Sequence, residues 1–273
     1  TSLMCMTSTR ILSGGNRVAL LEMDFLNPLL HLIFPQKTLK AYVNDFLFGE
    51  ASLDDVLVDV GQDVNVKEQR SFMVGYMNHL EGPRRRMELA DAARDGRIIK
   101  TLEKARWEFK GEPLDFVLID MPPWSNCLFD TVSVISDVVF FVMRPSRIEL
   151  TVLRQRYSSL FSRIVAKIVP VINFYDPNDK RHAEILEEMK GRYPEFTEAF
   201  TFPYYQDLIS GPSKVLLSDT SHPIYKDVGK ALVHVFGDRG RLANSREKET
   251  NPTPVEAVRL SSKLPKVQYP DSL

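Results

Sequence analysis

The sequence predicts an α/β fold, a mostly parallel twisted sheet with helices on both faces. Three observations carry that expectation. Apolar runs with no wet side recur at Arg17 to Met23 (RVALLEM), Phe116 to Ile119 (FVLI), Asp137 to Met143 (DVVFFVM) and Lys167 to Asn173 (KIVPVIN). A strand without a polar face is one covered on both sides. Segments of helical spacing lie between these runs, and alternating strands and helices imply right-handed crossovers. Several runs also stop at a polar residue, Asp24, Asp120 or Asn173, and in open α/β sheets ligands bind at the carboxyl ends of strands.

A chain of 273 residues is expected to form one domain on one continuous sheet. Its 35 basic and 36 acidic residues nearly cancel, so bulk charge selects neither a nucleic-acid nor a membrane-surface partner. With only Cys5 and Cys127 there is no disulfide framework, no four-thiolate metal site and no CxxC, which fits a reducing, cytoplasmic location. No apolar run approaches the roughly 20 residues of a membrane span, and the start lacks a signal-peptide layout.

In chain order, Thr1 to Leu12 reads as a helix stopped by Gly14-Gly15. The first strand follows and runs into Asp24, and Asn27-Pro28 opens a loop. Leu39 to Val60 has a helical pattern with a break, and Ser52 with Asp55 forms a capping box. Ser71 to Tyr76 reads as a strand. Arg84 to Arg86 make a basic cluster in a loop or helix start, better explained as a solvated turn than as a phosphate contact. Glu88 to Phe109 reads as one long amphipathic helix.

The central stretch is Leu114 to Trp124, LDFVLIDMPPW, a buried strand ended by an acid and two prolines. Asp120 there can hold a hydrated Mg²⁺ or orient a water; as an ordinary turn residue it would cap a helix. Leu128 to Ile135, Ile148 to Ile164, Asp179 to Lys190 and Ile224 to Phe236 read as helices. Phe200 to Phe202 reads as a short strand before the turn Pro203-Tyr204-Tyr205. Residues 1–237 form the expected domain, and 238–273 a disordered or loosely docked tail.

This order resembles the MinD/ParA group of P-loop ATPases from Thr1 to about Gly237. In that group a KGGxGKT[ST] loop and helix precede a strand ending DxD, an IDxPP strand and a strand ending in Asn. The resemblance implies a P-loop NTPase three-layer sandwich, with ATP and Mg²⁺ as cofactors. It implies that Thr1 gives its hydroxyl to Mg²⁺ and that the amides of Thr1 and Ser2 face phosphates at a helix N-terminus. Asp24 would orient the attacking water and Asp120 would hold Mg²⁺ through a water. Asn173 would read the adenine edge, with Pro203, Tyr204 and Asp207 in the loop lining the base.

The departures are Glu22 for the first acid of DxD, Trp124 where many members have glycine, and the lack of a P-loop in the given residues. A strand and P-loop upstream of Thr1 are therefore expected. The function implied is an ATPase switch, an ATP-dependent homodimer that docks a protein partner in partitioning, positioning or regulation of a cellular machine. Against it stands a non-catalytic scaffold with a decayed site, motivated by Glu22 and Trp124. A synthetase or kinase on a related fold is a third reading, but no residue marks its substrate. DNA contact is left open through Arg84 to Arg86, Arg154, Arg156 and Arg163. Cys127 as a plain thiol outweighs a pairing across a dimer axis. His31, His79, His182, His222 and His234 lack metal-ligand spacing.

Overall fold

The computed structural model describes residues 1–34, 38–64, 71–88, 92–122, 127–162, 164–206 and 219–236. Helix α1 (Ser2–Leu12) leads into β1 (Val18–Glu22), whose five residues are all buried. The burial follows from its neighbours: β1 lies parallel between β3 (Phe72–Gly75) and β6 (Phe116–Asp120). β2 (Leu57–Asp59) adds an antiparallel edge on β3. The first sheet thus has the order β2-β3-β1-β6. A second, all-parallel sheet has the order β7-β8-β9, from Val138–Met143, Lys167–Tyr175 and Phe200–Pro203.

The period of two along β1 builds two cores at once. Val18 and Leu20 enter a core with Cys5, Leu12, Phe72, Leu118 and Val228. Ala19 and Leu21 enter another with Val43, Phe46, Met73 and Ile98. The first core lies under α1 and α10 (Pro223–Phe236). The second lies under α3 (Val43–Leu47), α4 (Leu53–Val56) and α6 (Ala92–Lys104). A third core joins β7 and β8 to α8 (Arg147–Phe161) and α9 (Lys180–Arg192). Helices therefore cover both faces, as the sequence predicts.

Val171 of β8 and Phe202 of β9 belong to the same core as Val18 and Leu20 of β1. The two sheets share that core, but no described residue pairs with the outer edge of β6 or of β7. The expectation of one continuous sheet is corrected accordingly. It also explains why Phe116, Val117 and Ile119 of β6 are only half-buried and why Val142 of β7 is exposed, although both runs read as two-sided.

Three element expectations change. Residues 57–59 are a strand, because β3 accepts an edge partner there, and the helix that begins at the Ser52 capping box lasts one turn. The expected helix from Glu88 to Phe109 is α5 (Glu81–Glu88) and then α6, with residues 108–109 paired to 112–113 in a hairpin. That hairpin turns at Lys110 and Gly111, both at positive φ (53° and 78°), the backbone of a two-residue primed turn. A short helix α2 (Leu30–Ile33) follows the Asn27-Pro28 loop. The capping box is present, with Asp55 N–H donating to Ser52 Oγ at 3.3 Å. Trp124, Arg163, Asp207 and the tail lie outside the described residues.

Candidate functional site

Register places the site. Glu22 and Asp120 are Cα partners at the carboxyl ends of β1 and β6, and Met23 N–H extends the pairing by donating to the Asp120 carbonyl at 2.8 Å. Two acids therefore stand side by side, with Asp24 two residues on. All three are buried, at 1%, 4% and 8% exposure for Glu22, Asp120 and Asp24.

The N-terminus of α1 meets this pair. The Thr1 amino group is 3.0 Å from Asp120 Oδ1. The Thr1 hydroxyl does not cap the helix, and the first turn of α1 carries no acid of its own, so the one carboxylate placed at this helix end is that of Asp120. Asp120 Oδ2 is buried with no hydrogen-bond partner, which for a carboxylate oxygen is costly unless something is bound there. Hard oxygen donors, such as a carboxylate at a helix N-terminus that begins with a threonine, suit Mg²⁺, which takes few protein ligands and keeps waters. No cluster of three or more metal-ligating side chains exists among the described residues.

The other two acids are differently held. Asp24 Oδ1 accepts from the N–H groups of Leu26 (3.1 Å) and Asn27 (3.0 Å), so this oxygen faces its own loop. Glu22 accepts from Leu30 N–H at 2.7 Å and Met77 N–H at 3.1 Å. Burial raises the Glu22 pKa, against those N–H groups, and the neighbouring Asp120 charge raises it further. Cys5, buried beneath the pair, is pushed up by burial as well, and behaves as an inert core thiol.

A second group lies at the carboxyl ends of β8 and β9. Asn173 pairs with Phe202, and a bulge places Tyr175 opposite Pro203. Asn173 Oδ1 accepts from Phe174 N–H at 3.1 Å. Phe174 sits at φ 61°, uncommon for an aromatic residue, with the Arg144 guanidinium 5.5 Å over its ring and Tyr204 5.7 Å away. Sequence reasoning missed Phe174 and Arg144. An aromatic after the strand-ending Asn was visible, but the bulge that aims it was not.

Thr1, Glu22, Asp24 and Asp120 thus converge, and Asn173, Pro203 and Tyr204 form the second group. Two cavities lie elsewhere. One of about 310 Å³ is lined by Lys167, Pro170, Glu195 and His234, at the opposite end of β8 from Asn173. The other, about 470 Å³, runs between α1 and α10 past Arg10, Lys226 and Lys230. Three of the basic residues considered for DNA face carboxylates: Arg84 with Glu88, Arg86 with Glu50, Arg154 with Glu188. Among the described residues no helix is long and apolar enough to cross a membrane.

No protein-family model matches the chain, and no curated protein matches it. Solved structures do. A plasmid partition protein from Borrelia burgdorferi bound to AMPPNP aligns at TM-score 0.64 and 15% identity, covering 86% of this chain and 92% of that one. The septum site-determining protein MinD from Pyrococcus horikoshii, complexed with Mg-ADP, aligns at 0.61 and 16%, covering 89% and 93%. Cobyrinic acid a,c-diamide synthase from Mycobacterium smegmatis, with an ATP analogue and magnesium, aligns at 0.51 and 19%, covering 71% and 78%. The chain has the fold of the ParA/MinD-type P-loop ATPases. At these identities the likeness is one of fold, and a partition protein, a division-site protein and a synthetase share it.

Proposed function

We propose that this chain is a nucleotide-dependent switch of the MinD/ParA type, which binds ATP with Mg²⁺, hydrolyses it slowly, and changes its association with a second copy and a protein partner accordingly. The single observation that supports it most is the buried, partnerless Asp120 Oδ2 beside Thr1 at the start of α1. In this reading Thr1 and Asp120 hold Mg²⁺, the amides of Thr1 and Ser2 face the phosphates, and Asp24 orients the attacking water. Mg²⁺, when bound, would supply charge neutralisation at the phosphates; the residues would position it and exclude bulk water. Asn173, Pro203, Tyr204 and Asp207 receive the base.

The unpaired edges of β6 and β7 support a further part of the reading: an apolar strand and a glycine-rich loop with a phosphate-binding lysine belong between them, preceding Thr1. Partitioning or positioning is the process class, in the cytoplasm, with an ATP-dependent homodimer as the active form. The rival scaffold reading is favoured by Asp24, whose Oδ1 is held by its own loop.

The test uses the full-length protein. Asp120→Ala is expected to abolish Mg²⁺-dependent ATP binding, and Asp24→Ala to leave binding within a few-fold while lowering turnover about 100-fold or more, the scale of losing a positioned group in the transition state. Equilibrium nucleotide binding and phosphate release measure the two. ATP binding that survives Asp120→Ala unchanged sinks the assignment; no nucleotide affinity in the wild type favours the scaffold.

A further inference from the structure

Glu22 is a buried carboxylate to which the proposed chemistry gives no task. It closes β1, yet its two oxygens point out of the sheet to two separate segments. Oε1 accepts from Leu30 N–H, at the start of α2 in the segment that begins with Asp24. Oε2 accepts from Met77 N–H, just past β3. Hydrogen bonds to an ionised acceptor are short and strong when buried, and removing the acceptor would strand two backbone donors away from water.

The same two segments meet twice more. Tyr76, 1% exposed, donates its hydroxyl to the Phe34 carbonyl at 3.4 Å. Outside, the rings of His31 and His79 stack at 5.7 Å with 23° between planes. Of these three ties, only the one through Glu22 is rooted on the strand that also presents Asp24. Reach matters here. An aspartate is one methylene shorter, about 1.5 Å of reach, and would pull both carboxylate oxygens back from donors that Glu22 meets at 2.7 and 3.1 Å.

We propose that Glu22 is a positioning residue: by accepting from Leu30 and Met77 at once, it fixes the segment carrying Asp24 to the loop after β3 and so sets where the Asp24 carboxylate stands. This rests on the reading of Asp24 as the acid that orients water. The extra methylene at this position is then a functional feature, because it couples the hydrolytic acid to the outer loop 77–80. A displacement of that loop moves the Asp24 segment with it.

The test compares Glu22→Asp and Glu22→Gln with wild type in the full-length protein. Both are expected to lower kcat about tenfold or more while the ATP dissociation constant stays within about twofold, since neither Thr1 nor Asp120 is altered. In nucleotide-free protein, the amides of Leu30 and Met77 should lose exchange protection together in Glu22→Asp. Ile185→Val, in the α9 core remote from the site, serves as the stability-matched control and should keep kcat. Wild-type turnover in both variants overturns the proposal, as does an equal kcat loss in the control at the same fall in Tm. Should the wild type hydrolyse no ATP, the proposed function fails by itself; the exchange result then decides the tie, and retained protection of Leu30 and Met77 in Glu22→Asp overturns it.

Discussion

Glu22 and Asp120 end neighbouring strands at one register position, and two carboxylates that close need partners or a cation to remain charged. Glu22 has backbone donors, whereas among the described residues Asp120 Oδ2 has none. That asymmetry separates a structural acid from one able to take a metal. A different acid gives a clean pH signature. Asp179 caps α9, accepting from Arg181 N–H at 2.9 Å and pairing with the Arg181 guanidinium at 2.7 Å. Its pKa is lowered from 3.8 to about 2, chiefly by the Arg181 side chain and then by its N–H. A lowered folded-state value means stability present above pH 3.8 and lost as pH falls towards 2. Denaturation of wild type and Asp179→Ala should therefore differ at pH 6, with the gap narrowing below about pH 4; a constant gap would refute the linkage.

Among the elements, β3 is held most tightly. A Cβ on Gly75 would stand 2.9 Å from both Leu21 Cδ2 and Val43 Cγ2 and 3.2 Å from Val56 Cγ1. β3 thus approaches α3 and α4 as closely as it does because residue 75 has no side chain. Gly75→Ala is expected to destabilise by about 1–3 kcal/mol through overpacking, read by chemical denaturation; a neutral result would mean that α3 shifts freely. How much of this was legible depends on the range of the forces. The strands β1, β3, β6, β7 and β8 announced themselves as unbroken apolar runs, although of these only β1 and β3 are buried at every residue. Asp24 and Asp120 stood at the ends of such runs in the sequence, whereas Thr1 was marked only by the family resemblance. Leu57–Asp59 was not, because VLV fits helix and strand alike and the edge of β3 decided it. The ties of Glu22 were not either, since their donors lie 8 and 55 residues away.

Across the whole molecule, the shared core and the split sheets pull apart two properties that usually travel together. Burial is continuous, since Phe116, Leu118, Phe140 and Val171 gather in one cluster with α1 and α10. Backbone pairing is not, since no described residue pairs with the outer edge of β6 or of β7. In the 273-residue chain, hydrogen exchange is expected to be slow in β1 and β3 and at least ten times faster at the outward amides of β6 and β7, as open edges exchange without global unfolding. Equal protection across all four strands would mean that the edges are paired in solution.

The far end of β6 decides where its acid points. Arg17 N–H donates to Asp115 Oδ2 at 2.7 Å, Asp115 N–H to the Arg17 carbonyl at 3.0 Å, and Leu114 N–H to the Trp107 carbonyl at 2.9 Å. Just before them the turn is pinned by Lys110 N–H donating to Asp54 at 2.9 Å. Side chains alternate faces along a strand, so a slip of one residue would exchange Ile119 for Asp120 beside Glu22 and bury a methyl group where a carboxylate now waits. The hairpin acts as a stop against which the strand is measured, and the aim of Asp120 is settled some five residues before it, at Asp115, at the opposite end of the strand.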